Sequence, residues 1–288
     1  MYCNPMAPGK STGFIHNGAI MKIVTWNING YRAITGQNKS IRLDNISFEN
    51  NLFKFINEEN PDIIGLQETK ANPEQIADHL RVPPGYKAYY NSCKIKKGYS
   101  GVALFSKIEP QRINYEIGIS KFDDEGRLIE ADFGRFLLFN VYFPKGYTDD
   151  PRLDYKLEFY DALLIYLKEL LKQGRSIIVM GDYNTARTEI DLANPKENEN
   201  TSGFLQVERD KMEEYFSAGF VDAFRLFVKE GGHYTWWSNR ANSRARNIGW
   251  RIDYHLVSQD LVPFVKNARQ MPEVMGSDHC PVVLELDL

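Results

Sequence analysis

The chain predicts an α/β fold in which helices cover the faces of β-sheets. Three observations carry that expectation. Short β-rich apolar runs recur from end to end, a long amphipathic segment lies mid-chain, and strands and helices are neither strictly alternating nor segregated. The predicted strands cover residues 22–26, 63–67, 102–106, 136–142, 176–180, 252–257 and 281–286. Several are apolar at consecutive positions, the pattern of a strand buried on both faces. The clearest helix is predicted over 151–173, with Asp150 as its cap, Pro151 in its first turn and Gly174 at its exit. Leu153, Leu157, Tyr160, Leu164, Leu167 and Leu171 recur there every three or four residues and form one apolar stripe. A second helix is predicted over 204–217, and shorter ones over 51–58 and 73–80.

With 288 residues, 43% hydrophobic, the chain can bury a sizeable core in one large domain or two small ones. No repeat, low-complexity stretch or linker divides it after Met21, so one domain over 21–288 is the simplest expectation. Residues 1–20 read as a polar tail or extension, broken by Pro5, Pro8, Gly9 and Gly18 and without the apolar region of a signal peptide. No apolar run approaches the roughly 18–20 residues that cross a bilayer, so no membrane partner is expected. Three cysteines (Cys3, Cys93 and Cys280) with no CxxC argue against a disulfide framework or a zinc site. They point to a reducing intracellular compartment, cytoplasmic or at the nucleoid or nucleus. The net charge of −3 is unlike that of a protein that grips nucleic acid by bulk charge, so any such partner must meet a local basic patch.

Polar residues gather at strand ends. Asn27 and Asn29 close Thr-Trp-Asn-Ile-Asn-Gly, and Glu68 follows Ile-Ile-Gly-Leu-Gln. Asp182 and Asn184 follow Ile-Ile-Val-Met in Gly-Asp-Tyr-Asn. Asp253 lies in Trp-Arg-Ile-Asp-Tyr, and Asp278 and His279 precede the last strand. Singly, each is accounted for by the preference of Asp and Asn for turns, or by an ordinary histidine. Their repetition at the edges of apolar runs points to one shared site, and the residue types suit phosphodiester chemistry. The phosphate oxygens are already negative and repel nucleophiles. A hard cation with oxygen ligands neutralises that charge, and carboxylates such as Glu68 suit it. A carboxylate or imidazole must position and activate water. His279 beside a carboxylate such as Asp253 holds a fixed tautomer, or a proton, toward the phosphate. Asparagine amides donate to phosphate oxygens without adding charge.

In order and spacing these segments resemble the exonuclease III family of abasic-site endonucleases, within the endonuclease/exonuclease/phosphatase superfamily. The resemblance runs from Met21 to the C-terminus. It rests on Lys-Ile-Val-Thr-Trp-Asn-Ile-Asn-Gly-Tyr-Arg-Ala, Ile-Ile-Gly-Leu-Gln-Glu-Thr-Lys, Gly-Tyr-Ser-Gly-Val-Ala, Asn-Val-Tyr-Phe-Pro-Lys-Gly, Gly-Asp-Tyr-Asn-Thr-Ala, Thr-Trp-Trp, Asn-Ile-Gly-Trp-Arg-Ile-Asp-Tyr and Met-Gly-Ser-Asp-His-Cys-Pro. Each motif is weak alone, and their joint order is specific.

The resemblance implies a four-layer α/β sandwich with two packed mixed β-sheets flanked by helices. It implies a DNA repair enzyme that uses Mg²⁺ (Mn²⁺ as a substitute) to hydrolyse the phosphodiester 5′ to abasic sites in duplex DNA, leaving a 3′-hydroxyl; separately, a monomer is expected. Exonuclease, 3′-phosphatase or altered-base (uracil) incision activity can accompany this in the family. Glu68 is then the principal metal ligand, with Asn27, Asn29 and Asp278 near the metal. Asp182 orients the attacking water and Asn184 holds a phosphate oxygen, both beside the metal. Asp253 and His279 form an acid–imidazole pair, and Tyr142 directs its phenol at the phosphate or the metal-bound oxygens. Trp236, Trp250 and Ile252 match the pocket for a flipped abasic sugar, which excludes a nucleotide bearing its base; core packing is the alternative for tryptophans. Arg240 matches a side chain inserted into the duplex near the lesion, within a cluster of Arg240, Arg244, Arg246 and Arg251. Lys145, Lys97 with its neighbours Lys94 and Lys96, and Asn198 in the 191–204 loop are the expected DNA contacts. Residues 34–48 are longer than the family pattern.

Rival readings are a superfamily phosphoesterase acting on lipid, inositol or nucleotide phosphates, a nonspecific DNase, and a noncatalytic DNA-binding relative. Gly-Trp-Arg-Ile-Asp and Tyr-Phe-Pro-Lys-Gly favour DNA over the first. The pocket tryptophans favour lesion specificity over the second. The full set of catalytic side chains disfavours the third.

Overall fold

The structure is a computed structural model that describes residues 20–37, 50–147 and 151–288. The expectations for residues 1–19, for Asp150 as a cap and for most of the 34–48 stretch lie outside the described residues.

The strands are β1 (Met21–Asn27), β2 (Ile63–Gln67), β3 (Lys87–Asn91), β4 (Val102–Ser106), β5 (Arg112–Asn114), β6 (Leu128–Asp132), β7 (Leu137–Tyr142), β8 (Ile177–Asp182), β9 (Phe220–Asp222), β10 (Trp236–Trp237), β11 (Gly249–Trp250), β12 (Asp253–Ser258), β13 (Val265–Gln270) and β14 (Val282–Leu286). The helices are α1 (Tyr31–Ile34), α2 (Asn51–Glu59), α3 (Ser120–Asp123), α4 (Pro151–Lys172), α5 (Pro195–Asn198), α6 (Gln206–Ser217) and α7 (Ala223–Phe227). Among the described residues there are two six-stranded sheets, ordered β13-β14-β1-β2-β4-β3 and β5-β6-β7-β8-β12-β9, and a two-stranded β10–β11 ribbon.

Each large sheet is built around one parallel pair, β1–β2 and β7–β8, flanked by antiparallel neighbours. Parallel neighbours need a crossover connection, and α2 and α4 lie on those crossovers. The Asn50 side chain caps α2 by accepting from the Phe53 N–H at 2.9 Å, and Asn60 closes it in the left-handed conformation.

The two-residue alternation of the strands sorts their side chains into layers. Ile23, Ile63, Leu104 and Leu284 of the first sheet pack against Leu138, Ile178, Met180 and Val257 of the second. On the outer side of the first sheet, Val24, Trp26, Ile64 and Leu66 meet Leu52, Phe55 and Ile56 of α2. On the outer side of the second, Phe139, Val141, Val179 and Leu256 meet Phe159, Tyr160, Leu163 and Leu167 of α4 and Met212 and Tyr215 of α6. The result is the expected helix–sheet–sheet–helix sandwich.

The same alternation positions the site. Counted along each strand from Ile23, Ile63, Leu138, Ile178 and Val257, the inward positions at one end of the sandwich are Thr25, Asn27, Gln67, Asn140, Tyr142, Asp182 and Asp253, all buried. Apolar packing between the sheets gives way there to hydrogen bonds. The Gln67 amide donates to Thr25 Oγ1 at 2.8 Å and across the sheets to Asn140 Oδ1 at 2.6 Å, while the Asn140 amide donates to the Ala103 carbonyl at 2.8 Å.

Two expectations change. The helix expected over 73–80 is a pair of 3₁₀ turns, Pro73–Gln75 and Asp78–Leu80, because Asn72 and Gln75 cap each other and Ile76, between the turns, is extended. The apolar stripe of α4 is centred on Phe159, Tyr160, Leu163, Leu164 and Leu167, and it includes a fully buried Lys156.

Two positions in the inter-sheet layer generate predictions. A Cβ on Gly65 would lie 2.3 Å from Met180 Cε and 2.7 Å from Asn140 Cγ of the facing sheet. Gly65→Ala is therefore expected to lower unfolding stability by about 1–3 kcal/mol in urea titrations; an unchanged midpoint would show that the sheets yield. His255 is buried with both ring nitrogens unpartnered among the described residues, and burial pulls its pKa down to about 3. The folded state keeps it neutral while the unfolded chain protonates near 6.5. No penalty exists above that pH, and about 1.4 kcal/mol of stability is lost per pH unit below it, down toward the folded pKa. His255→Leu should flatten the fall of Tm between pH 6.5 and 4.5; parallel curves for the two proteins would contradict this.

Candidate active site

The backbone turns sharply where strands end. Asn29, Glu68 and Asn184 all have φ near +50° (45°, 53° and 51°). Asparagine tolerates this left-handed conformation, but for glutamate it costs about 1–2 kcal/mol. Such strain persists where the surroundings impose it, and it clusters at functional sites. Here it swings Glu68 off β2, beside the ends of β1 and β8.

Asn27 is the hub. Its amide nitrogen donates to Glu68 Oε1 at 2.9 Å and to Asp182 Oδ2 at 2.8 Å, and its amide oxygen accepts from the Asn29 N–H at 3.0 Å. Lys70 Nζ lies 2.6 Å from Glu68 Oε2 and donates to Asn29 Oδ1 at 2.6 Å. The Asn29 amide donates to Asp278 Oδ1 at 2.9 Å. Asn184 donates its N–H to Asp182 Oδ1 at 2.8 Å and its amide to Asp182 Oδ2 at 3.2 Å and to the Phe143 carbonyl at 3.0 Å. His279 Nδ1 is 2.9 Å from Asp253 Oδ2, which leaves Nε2 4.0 Å from Asp182 Oδ2. The Trp26 indole donates to the His279 carbonyl at 3.1 Å, and Ser277 Oγ to the Asn27 carbonyl at 2.8 Å, so β1 fixes the turn that carries Asp278 and His279.

The charges are mutually tuned. Burial lifts the Asp182 carboxyl well above the carboxylate range; the positive His279 opposes this, and Asp253 and Glu68 reinforce it. Burial would lower His279, but Asp253, with Asp182 and Asp278 behind it, holds the imidazole well above its usual value. Burial also works to raise Glu68, and Lys70 and the Asn27 amide outweigh it. Burial, with Glu68 next to it, pushes up the phenol of Tyr142, which hydrogen-bonds to Glu68. Carboxylate oxygens of Glu68 and Asp182 and a nitrogen of His279 all lie within 4.8 Å of one another, a cluster that can hold a metal ion. The clustered carboxylates suit a hard divalent cation, whose positive charge would offset the burial and the acidic neighbours that raise Asp182.

A cleft of about 1020 Å³ runs over this centre. Its lining includes Trp236, Trp250 and Ile252. The tryptophans pair across the β10–β11 ribbon with ring centroids 6.4 Å apart at 83°, backed by Ala186, Leu192 and Phe204. The Trp236 indole donates to Asp278 Oδ2 at 3.1 Å, so the pocket wall is fastened to a carboxylate of the centre. Trp237 is buried beneath Arg244 as ordinary packing.

The expected DNA contacts divide. Lys145 is exposed in the cleft lining and Arg240 is exposed on the loop after β10. Lys97 is exposed outside the lining, which its neighbour Lys96 joins. The Asn198 amide turns back onto the carbonyls of Asn194 (2.9 Å) and Ala193 (3.4 Å). The arginine cluster does not hold together. Arg251 is buried against Asp191 (2.8 Å) and Asp222 (2.7 Å). Arg244 is spent on the carbonyls of Pro272, Val274 and Ser277. Sequence reasoning passed over Lys70, although it closes the Gln-Glu-Thr-Lys motif, and it passed over the buried Lys156 and Glu208, for which no local signal exists.

Residues 24–279 match the model of the Endonuclease/Exonuclease/phosphatase family. An exodeoxyribonuclease of Bacillus subtilis (strain 168) is 43% identical over 269 residues, covering 93% of this chain and 100% of the relative. The structure of an AP endonuclease from Archaeoglobus fulgidus superposes with a TM-score of 0.81 at 27% identity, covering 93% of this chain and 100% of that one. A 3′ phosphatase, NExo, from Neisseria bound to a product DNA hairpin superposes with a TM-score of 0.82 at 27% identity, with the same two coverages. The chain belongs to the endonuclease/exonuclease/phosphatase family and, within it, to the exonuclease III-like AP endonucleases.

Proposed function

We propose that this protein is a DNA repair endonuclease that hydrolyses the phosphodiester 5′ to an abasic site in duplex DNA with Mg²⁺, leaving a 3′-hydroxyl. Residues 21–288 act as one catalytic domain, as a monomer in a reducing compartment. The observation that carries the reading is the 3.1 Å hydrogen bond from Trp236 to Asp278, which joins an aromatic pocket sized by two tryptophans to a carboxylate–imidazole centre.

Glu68, Asp278 and Asn29 would hold the ion, with Asn27, Asp182 and Asn184 beside them; Mn²⁺ can replace Mg²⁺. When bound, the ion neutralises the phosphate oxygens and orients the group. Asp182, whose raised pKa favours taking a proton, positions and deprotonates the attacking water. The Asn184 amide holds a phosphate oxygen. His279, kept charged by Asp253, donates from Nε2 to the phosphate as negative charge builds there. Tyr142 keeps its proton and donates it as a hydrogen bond to the same group. The baseless sugar enters between Trp236 and Trp250 over Ile252, where a base cannot follow. Arg240 and Lys145 meet the duplex, with Lys97 outside the cleft lining and the loop of Asn198, which supplies Thr201, Ser202 and Gly203 to that lining, as weaker contributors. Names of related proteins include exodeoxyribonuclease and 3′ phosphatase, and the same centre suits those reactions, because each places a phosphate ester at Glu68.

The test is incision of a labelled duplex carrying one abasic site, beside intact and uracil-containing duplexes, with Mg²⁺ and with EDTA. Cutting 5′ to the abasic site that EDTA abolishes is expected. Cutting of the uracil duplex would mean a broader pocket. No cutting of any duplex, by a protein that hydrolyses nucleotides or phospholipids, would overturn the reading. Glu68→Ala and Asp182→Asn should each lower kcat by roughly 10²–10⁴-fold without loss of fold by circular dichroism; parent-like rates in both would remove the assigned centre. Trp236→Ala should narrow the preference for abasic over intact sites by about tenfold or more, as expected when aromatic contact with the flipped sugar is lost; an unchanged ratio would return Trp236 to packing alone.

A further inference from the structure

The molecule buries an ion pair that the chemistry above does not use. Lys156 of α4 and Glu208 of α6 are both 0% exposed, 2.6 Å apart. Two charges removed from water are a poor source of stability, because desolvation offsets most of their attraction. The pair is better understood from where its remaining hydrogen bonds go. Lys156 Nζ donates to the Asn184 carbonyl at 2.7 Å. Glu208 accepts from the Gly203 N–H at 2.5 Å, the Leu205 N–H at 3.1 Å and Ser202 Oγ at 2.9 Å. Gly203 in turn bonds through its carbonyl to the Ala186 N–H at 2.8 Å. A Cβ on Gly203 would lie 3.1 Å from the Trp250 ring and 3.2 Å from the Asn184 carbonyl. One side of the pair therefore fixes the backbone of Asn184 beside Asp182. The other fixes the 202–205 turn that supports Trp250, with Phe204 packed edge-on against that ring at 6.4 Å.

We propose that Lys156 and Glu208 are positioning residues that set Asn184 and the Trp250 wall of the pocket in one fixed relation, so that the phosphate is held in line only when the pocket is correctly filled. The inference rests on the function proposed above for Asn184 and the tryptophans. Misplacement of a positioning group by about 1 Å costs on the order of 10²-fold in rate, which is what loosening Asn184 should do.

Lys156→Met alone strands a buried carboxylate and can fail to fold. The deciding protein is the double variant Lys156→Met/Glu208→Gln, which removes both charges and keeps an acceptor for the 202–205 turn. Lys156→Arg, which keeps the charge and the donors, is its control. On the abasic duplex with Mg²⁺, the double variant is expected to lose about 10–100-fold in kcat with KM within a few-fold, and to discriminate less between abasic and intact sites. Its thermal unfolding should stay close to that of the parent, and Lys156→Arg should recover most of the rate. A folded double variant with kcat and discrimination within twofold of the parent overturns the proposal. If the parent itself does not cut the abasic duplex, the proposed function fails instead. A crystal structure of the double variant then decides the positioning role: a shift of Asn184 together with the 202–205 turn and Trp250 supports it, and an unmoved Asn184 and Trp250 overturn it.

Discussion

The hydrogen bond from the Asn27 amide to Asp182, 2.8 Å across the gap between the two sheets, is the contact on which the site depends. It joins the end of β1 to the end of β8, and the same nitrogen reaches Glu68. Most of the inter-sheet layer is apolar and sets only the spacing of the sheets. At this end each inward position carries a group that must find a partner, because an unpaired polar atom in the low-dielectric interior costs a large part of its hydration energy. The Gln67–Asn140 pair forms a second polar tie across the gap. Together these bonds hold two independent sheets in a register accurate enough for chemistry, a precision that apolar packing alone does not supply.

That register makes the electrostatics of the centre a collective property. Asp182 is raised by burial and by its acidic neighbours, while Glu68 is held down by Lys70. Two carboxylates bridged by one amide thus take opposite protonation tendencies, which is the arrangement needed where one group receives a proton and the other stays anionic. His279, charged because Asp253 grips Nδ1, faces the same space. The strained φ of Glu68 and the buried Lys156–Glu208 pair are costs that a scaffold built only for stability would not carry.

Much of this was legible in the chain. Strands buried on both faces announced themselves as consecutive apolar runs, and the polar residues that end them are the ones that converge. Edge strands were not legible. Val-Lys-Asn-Ala-Arg-Gln of β13 and Lys-Ala-Tyr-Tyr-Asn of β3 are half-exposed and carry no apolar run, so only pairing with β14 and β4 defines them. Side-chain fates set by distant partners were equally hidden. Lys156 is the one fully buried charge of its helix among the described residues, and its partner is 52 positions away. Arg251, read as part of a DNA-facing cluster, is claimed by Asp191, 60 positions away. Asn198 turns its amide onto carbonyls of its own loop, and nothing short of the loop's own geometry reveals that.

On the proposed function, the polar end of the inter-sheet layer forms a cation centre organised by Glu68. Anomalous diffraction from crystals grown with Mn²⁺ addresses it directly. The account predicts a peak within bonding distance of a Glu68 carboxylate oxygen, with further oxygen ligands from the Asn29–Asp278 side, and its loss in Glu68→Ala. Mn²⁺ bound only elsewhere, or retained unchanged in Glu68→Ala, would contradict it.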